Sequence, residues 1–177
     1  MNNPVILVVE DREDDVLITR KAFRDAFIDN PIRVVKDGEQ AIAYLSGMGK
    51  YRNRSEYPIP ALVLLDIKMP RINGFEVLAW IRDEEQFKTL PVLVLTSSNE
   101  IQDLRKAYAL GATSFLVKPL DFKEARRIPE FLPMPSILDV PVPPHREAQD
   151  TSSNLKVETT GSKTFVSLRK TKHLTGV

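Results

Sequence analysis

Residues 61–78 read ALVLLDIKMPRINGFEVL. The stretch opens with five apolar residues, and a short apolar run bounded by polar residues is typical of a strand buried on both faces of a sheet. Asp66 ends the run, and a loop containing Met69-Pro70 follows it. Apolar residues then recur at helical spacing after Gly74, a residue that we expect to adopt a backbone conformation forbidden to other side chains. Strand, loop and helix in this order form the repeating unit of a parallel α/β sheet.

The same unit recurs on both sides of this stretch. Phe23 and Phe27 lie four residues apart on one predicted helix, as do Leu104 and Tyr108 on another. The alternation of short apolar runs with amphipathic stretches predicts right-handed βαβ units, with five parallel strands and four clear helices on the two faces of the sheet. The other four predicted strands are Val5–Val9, Ile32–Val35, Val92–Leu95 and Thr113–Val117.

The composition excludes several classes of function. The chain has 177 residues, which at about 150 residues per domain allows one domain and an appendage. Its 25 basic and 24 acidic residues give a net charge of +1, which argues against a dedicated nucleic-acid-binding protein. The absence of cysteine excludes disulfides and thiolate metal sites, and two histidines leave little material for histidine-based catalysis. Apolar runs of about five residues are too short for a membrane span of about 20, and no signal peptide is recognisable, so we expect a cytoplasmic protein.

Two parts of the chain differ in composition. Residues 1–124 carry 17 basic and 19 acidic residues, a net charge of −2, whereas residues 125–177 carry 8 and 5, a net charge of +3. The second part also holds 6 of the 13 prolines. We therefore predict a folded domain over residues 1–124. Residues 125–177 are predicted to form an atypical proline-rich, partly disordered tail, with a candidate hairpin at 155–169.

The last helix of the domain is predicted to be short. Asp121 is a suitable N-cap with Glu124 three residues later, and Pro129 ends the helix after about two turns. So short a helix would leave apolar surface bare. The following residues could pack back over it, a partner or second copy could cover it, or the C-terminal sequence could be altered and partly disordered. The last interpretation is favoured for residues 145–154, and residues 129–144 stay undecided between the three.

Residues 47–60, GMGKYRNRSEYPIP, form a long connection between two predicted elements. The segment carries three cationic side chains, Lys50, Arg52 and Arg54. A solvated surface loop is the favoured interpretation. A loop that contacts a partner is the alternative, because loops often carry recognition.

Polar side chains stand where the predicted strands end. In an open parallel sheet, ligands bind outside the carboxyl ends of the strands. Each side chain alone would more often be a helix cap, a turn former or a solvated group. Together they bring three carboxylates, a hydroxyl and an ammonium to one edge, and carboxylates that repel one another there favour a hard cation such as Mg²⁺, with phosphate as co-ligand. The five residues are Glu10, Asp11, Asp66, Thr96 and Lys118.

Such a cluster suits phosphoryl transfer. A carboxylate can act as the nucleophile and form an aspartyl phosphate. Lys118 would neutralise phosphate charge, Thr96 could donate a hydrogen bond to a phosphate oxygen, and the metal would stabilise the transferring group. The acidic residues at positions 10 to 15 also have a simpler interpretation. They suit the first turn of a helix, because the helix dipole favours negative charge there.

The sequence resembles the receiver domain of two-component response regulators over residues 4 to about 124. The motifs that carry the resemblance are VILVVED, ALVLLDIKMPRINGFEVL, PVLVLTSS and GATSFLVKPL. The resemblance implies a flavodoxin-like fold, a doubly wound five-stranded parallel sheet in the order 2-1-3-4-5, and a cis bond between Lys118 and Pro119. The long loop and the DIKMP motif are most similar to single-domain regulators associated with bacterial phytochromes.

The resemblance also implies the phosphorylation site and the metal ligands. In this family the aspartate of the D-x-x-M-P-x-x-x-G motif is phosphorylated by a histidine kinase, and Asp66 stands at that position. The implied Mg²⁺ ligands are Asp66, the acidic pair Glu10 and Asp11, and the backbone carbonyl of Lys68. Glu10 replaces the more common aspartate, and its extra methylene is expected to put a water between its carboxylate and the metal.

Three further positions match residues with known roles in the family. Thr96 matches the switch hydroxyl, Phe115 the switch aromatic residue and Lys118 the lysine that contacts the phosphate. Phe115 lacks the hydroxyl of a tyrosine, and plain core packing is an alternative role for it that is compatible with switching. Ser97 is small, which leaves room for the phosphate and for an attacking water.

We therefore predict a single-domain response regulator of a two-component phosphorelay. It would accept a phosphoryl group from a sensor histidine kinase, with a bacterial phytochrome as a candidate, and switch its helix 4 and strand 5 surface for a downstream protein or a second copy. No enzymatic activity is expected beyond its own phosphorylation and dephosphorylation. One alternative is an aspartate-nucleophile phosphatase, which needs a second acid where Lys68 stands. The other is a non-signalling scaffold with a degenerate receiver fold.

Overall fold

The computed structural model describes residues 3–97 and 101–133. Its centre is a five-stranded parallel sheet with the strand order β2-β1-β3-β4-β5. This confirms the predicted flavodoxin-like, doubly wound α/β fold. The strands are β1 (Ile6–Val9), β2 (Ile32–Val35), β3 (Leu62–Asp66), β4 (Val92–Ser97) and β5 (Ser114–Lys118).

Helices connect the strands in the predicted alternation. None of those in the described ranges is long and apolar enough to cross a membrane. The Lys118–Pro119 peptide bond is cis, as the resemblance implies. The helices are α1 (Glu13–Asp25), α2 (Gly38–Ser46), α3 (Gly74–Asp83), α4 (Ile101–Ala109) and α5 (Phe122–Ala125), with short 3₁₀ turns at Gly49–Arg52, Glu85–Phe87 and Ile128–Phe131.

The burial of the strands follows their place in the sheet. The apolar residues of β1, β3 and β4 are buried, because these strands have neighbours on both sides and helices on both faces. β2 and β5 form the two edges and are only partly buried, although their short apolar runs are also typical of strands buried on both faces. Two hydrophobic clusters fill the two faces, one beneath α2 and α3 and the other beneath α1 and α5.

Side-chain caps fix the starts of the helices after β2 and β3. Asp37 accepts a hydrogen bond from the backbone N–H of Gln40 at 2.7 Å, and Asn73 forms a capping box with Glu76. Gly74 begins α3 for a reason other than the predicted one. A Cβ there would lie 2.3 Å from the carbonyl oxygen of Asp66, so close approach of two backbones, rather than an unusual φ, requires glycine.

The C-terminal end of α1 differs from the prediction. Phe27 lies outside the helix, with a φ of +56° and a side chain that is 87% exposed. Its N–H donates to the carbonyl of Arg24, and the N–H of Ile28 donates to that of Phe23, which is the hydrogen-bond pattern of a Schellman motif. The helix therefore ends at Asp25, two residues before Phe27, and Phe27 cannot continue the apolar face that Phe23 begins.

The predicted helical spacing near residue 104 is correct, but the expected apolar face stays largely uncovered. Only Ala107 of α4 is fully buried. Ile101 and Tyr108 are exposed by 66% and 49%. Gly111 ends the segment with a φ of +89°, a left-handed backbone conformation that favours glycine.

The compact unit that contains the sheet continues past the predicted boundary at residue 124 and includes the chain up to Pro133. Asp121 caps α5 as predicted, but the helix has a single turn. A 3₁₀ turn that includes Pro129 follows it, and this turn buries Ile128 completely. The predicted gap on this face is thus closed in part by the chain itself. The candidate hairpin at 155–169 and the predicted disorder at 145–154 lie outside the described residues.

The long connection after α2 is more ordered than a solvated loop. Tyr51 is buried, and its ring centroid lies 5.2 Å from those of both Tyr44 and Tyr57. The Arg54 guanidinium donates to the carbonyls of Tyr44 and Leu45 at the end of α2. Of the three cationic side chains of this segment, Lys50 and Arg52 are exposed, whereas Arg54, which makes these contacts, is half-buried.

Candidate functional site

Three carboxylates meet at the carboxyl edge of the sheet. Glu10 and Asp11 directly follow β1, and Asp66 is the last residue of β3. Because β1 pairs directly with β3, one carboxylate oxygen from each residue lies within 4.8 Å of the others. Glu10 and Asp66 are buried. The structure therefore brings together the three carboxylates that the sequence places at the ends of two strands.

Lys118 brings its ammonium into the same cluster from the end of β5. Its Nζ lies 2.7 Å from Asp66 Oδ2, 2.5 Å from Glu10 Oε2 and 3.0 Å from Asp15 Oδ2. Burial lowers the pKa of Lys118, but its contacts with Asp66, Glu10 and Asp15 outweigh burial and hold that pKa above its usual value. The lysine is therefore a permanent positive charge at the centre of the acidic cluster.

The single positive charge of Lys118 does not balance the negative charge of the carboxylates in the cluster. Burial raises the pKa of Glu10 to about 7, although its contact with Lys118 acts in the opposite direction. Asp11 Oδ1 is buried and has no hydrogen-bond partner among the described residues. A buried carboxylate oxygen without a donor is costly, and a cation is the natural partner for it. Three carboxylates without histidine or cysteine form a donor set suited to a hard divalent ion.

An open cleft of about 360 Å³ lies over these groups. Asp66, Thr96 and Lys118 line it together with Asp15 and Arg12. Thr96 is buried, and its hydroxyl donates to the carbonyl of Ser97 at 3.2 Å. The structure thus brings the predicted hydroxyl to the cleft, with its hydrogen bond directed to the backbone rather than to the acidic cluster.

The loop after Asp66 is held close to the carboxylate. The backbone N–H of Lys68 donates to Asp66 Oδ1 at 2.9 Å. Further along the loop, Arg71 has a φ of +67°, a region that favours glycine. Its guanidinium donates to Asp37 Oδ2 at 2.6 Å, which ties the loop to the start of α2.

Phe115 lies apart from the residues that line the cleft. It is half-buried on β5, and its ring meets that of Tyr108 edge-on with centroids 6.3 Å apart. This contact joins β5 to the exposed side of α4. Packing was one of the two roles expected of Phe115, and in the structure its ring packs against α4.

Asp15 was not predicted as a site residue. In the sequence it is one of several acids in the first turn of α1, which a helix dipole alone would favour. In the structure its Oδ2 contacts Lys118, and Arg12 Nε lies 3.9 Å away. Asp15 lies four residues after Asp11, but this spacing is only a weak sequence signal for a shared site. The direction in which the first turn of α1 faces is known only from the fold.

The chain matches a known family. The family model described as response regulator receiver domain matches residues 6–128. The response regulator Rcp1 of Synechocystis sp. is 36% identical over 125 residues, which cover 70% of this chain and 83% of Rcp1. The probable methanogenesis regulatory protein FilR2 of Methanothrix harundinacea is 35% identical over 126 residues, 71% of this chain and 79% of FilR2.

Solved structures give the same result. The bacteriophytochrome response regulator RtBRR has a TM-score of 0.67 and 39% identity, with 80% of this chain and 85% of that chain covered. The Mn(2+)-bound form of the response regulator Rcp1 has a TM-score of 0.64 and 34% identity, with 74% of this chain and 99% of that chain covered.

Proposed function

The chain belongs to the response regulator receiver family, and from this premise we propose that it accepts a phosphoryl group from a histidine kinase onto Asp66. One observation carries the proposal: Asp66 ends β3 in an open cleft with the Lys118 ammonium 2.7 Å from its carboxylate. A carboxylate can attack phosphorus when positive charge beside it stabilises the transferring group.

Glu10, Asp11, Asp66 and the backbone carbonyl of Lys68 would hold a divalent ion, which we propose to be Mg²⁺. The proximity of the three carboxylates and the unpartnered oxygen of Asp11 support this assignment. A related protein, Rcp1, has been solved in a Mn(2+)-bound form. When bound, the ion would neutralise negative charge on the transferring phosphoryl group.

Two side chains of the cleft are proposed to contact the phosphoryl group once Asp66 carries it. Lys118 would exchange one of its carboxylate contacts for a phosphoryl oxygen. Thr96 would turn its hydroxyl from the Ser97 carbonyl, its present acceptor at 3.2 Å, towards the same group. Phosphorylation would thus change local hydrogen bonds at the ends of β4 and β5, and such a change can bias a two-state element.

The proposed output surface is the exposed side of α4 together with β5. Phe115 links this surface to the cleft, because it lies on the same strand as Lys118 and contacts Tyr108. The exposed apolar residues Ile101 and Tyr108 would offer a partner a contact surface. A downstream protein or a second copy of the chain would recognise the change.

The titles of related structures favour a phytochrome-type sensor kinase as the phosphodonor. Two matching structures are titled bacteriophytochrome response regulators, RtBRR and AtBRR. We propose on this basis that the phosphodonor is a sensor histidine kinase, with a bacterial phytochrome as the first candidate. The phosphatase alternative is less well supported, because Lys68 stands where such an enzyme needs a second acid.

The test is the substitution Asp66→Asn. It should abolish incorporation of radiolabelled phosphate from acetyl phosphate in the presence of Mg²⁺, because the amide cannot form the acyl phosphate. Asp83→Asn, an exposed aspartate at the end of α3, is the matched control and should label like the wild type. Undiminished labelling of Asp66→Asn would contradict the assignment.

A further inference from the structure

Asp15 makes a contact that neither the metal ligands nor the phosphorylation site explains. Its Oδ2 accepts a hydrogen bond from Lys118 Nζ at 3.0 Å, although α1 and β5 are far apart along the chain. We infer that Asp15 competes with the phosphoryl group for Lys118 and thereby weakens binding of that group in the cleft. The inference rests on the proposed function and concerns a residue outside the proposed machinery.

The donor count of Lys118 makes the competition unavoidable. An ammonium has three protons to donate. All three carboxylates around Nζ lie within 3.0 Å, and they come from Glu10, Asp66 and Asp15. A phosphoryl group on Asp66 brings further oxygens to the same ammonium. Lys118 must then share or break one of its present contacts.

Asp15 is the contact most suited to exchange. Glu10 and Asp66 are almost fully buried, whereas the Asp15 side chain is 22% exposed and can be solvated by water when Lys118 leaves it. Asp15 also lines the cleft itself. Its negative charge would therefore repel an incoming phosphoryl group in addition to holding the lysine.

Removal of this carboxylate should strengthen anion binding without strengthening cation binding. The phosphoryl mimic beryllofluoride should bind more tightly, because Lys118 is released and a negative charge is lost from the cleft. Mg²⁺ alone should bind no more tightly, because the loss of a nearby negative charge does not favour a cation. A residue that merely stabilised the fold would not separate the two ligands in this way.

The experiment uses full-length protein and compares the wild type with the variants Asp15→Asn, Asp15→Ala and Asp14→Asn by calorimetric titration. Beryllofluoride is titrated at saturating Mg²⁺, and Mg²⁺ is titrated alone. Asp14 lies next to Asp15 in the first turn of α1 and is exposed, so its substitution is matched in charge and position. Thermal unfolding of each variant verifies that it is folded, and the two substitutions at position 15 give independent chances of a folded protein.

We expect both substitutions of Asp15 to strengthen beryllofluoride binding by about tenfold, as for loss of one competing charged hydrogen bond. The aspartyl phosphate should decay more slowly in the same variants, and Asp14→Asn should behave like the wild type. Unchanged or weaker beryllofluoride binding by the Asp15 variants would overturn the inference. An equal gain in Asp14→Asn, or a parallel gain in Mg²⁺ affinity, would overturn it too. A wild type that binds no beryllofluoride would overturn the proposed function, and the inference with it.

Discussion

Asp11 contributes a buried carboxylate oxygen for which the described part of the chain offers no hydrogen-bond donor. Without a bound metal ion, the charge of Asp11 also repels those of Glu10 and Asp66. We expect Asp11→Asn to stabilise the metal-free protein by about 1 kcal/mol, because it removes that repulsion. The same substitution should abolish the stabilisation that Mg²⁺ gives the wild type.

Thermal unfolding with a chelator and with excess Mg²⁺ measures both effects of Asp11→Asn. Asp14→Asn serves as the control, because this exposed residue lies outside the cluster. The metal assignment fails if Mg²⁺ raises the unfolding temperature of Asp11→Asn as much as that of the wild type.

Glu10 gives the metal-free protein a specific pH dependence. Its pKa is about 7 in the folded chain, against a reference value of 4.5. Between these pH values the folded chain binds more protons at this group than the unfolded chain, so wild-type stability falls as the pH rises through this window. Glu10→Gln has no such proton to lose, and it should gain up to about 3 kcal/mol relative to the wild type across the window.

Urea unfolding in the presence of a chelator, at several pH values from below 4.5 to above 7, tests this expectation. Glu39→Gln, at an exposed position in the first turn of α2, controls for the loss of one acidic residue. A stability difference between Glu10→Gln and the wild type that stays constant with pH would refute the prediction.

Single residues also show where sequence reasoning stops. Asp66 and Lys118 could be assigned because each ends an apolar run and the ends of parallel strands meet at one edge. The contact between Asp15 and Lys118 joins residues 103 positions apart, and no local pattern encodes it. Phe27 was misassigned because spacing alone cannot reveal a non-glycine residue in the left-handed conformation that ends a helix.

At the scale of elements, Arg54 connects the long loop to α2. Its guanidinium donates to the carbonyls of Tyr44 and Leu45 in the last turn of the helix, and to that of Tyr57. Arg54→Ala should destabilise the protein by about 2 kcal/mol, because charge-assisted hydrogen bonds to partly buried carbonyls are lost.

Arg52→Ala is the matched control for Arg54→Ala, since it removes an exposed arginine from the same loop. Urea unfolding should give near wild-type stability for it. Equal effects of the two substitutions would mean that the capping contacts of Arg54 contribute nothing measurable.

The same loop explains why elements are predicted unevenly. The strands are encoded by local runs of Val, Ile and Leu, and all five were predicted to within two residues at each end. The order of the loop depends on Tyr51 and Tyr57, whose rings pack on Tyr44 of a different element. A charged and glycine-containing segment does not show this packing in its sequence, because the packing needs the folded position of α2.

At the scale of the molecule, the two faces of the sheet are closed by different means. Helices α2 and α3 cover one face over their whole lengths, whereas α5 on the other face has a single turn. Ile128 completes the second hydrophobic cluster, with Phe131 and Leu132 packed against it. The family match ends at residue 128, so it does not include the last two of these side chains.

This arrangement predicts how much of the chain the receiver unit needs in order to fold. A chain that ends after Pro133 retains Ile128, Phe131 and Leu132 of the second hydrophobic cluster, and it is the reference for a shorter chain. A chain that ends after Arg127 loses the fully buried Ile128 and the contacts of Phe131. It should be less stable by about 3 kcal/mol or more, as when a large apolar side chain is removed from a core. Urea unfolding of both truncated chains beside the full chain measures the difference. Equal stability of the two truncated chains would show that the 3₁₀ turn does not close the core.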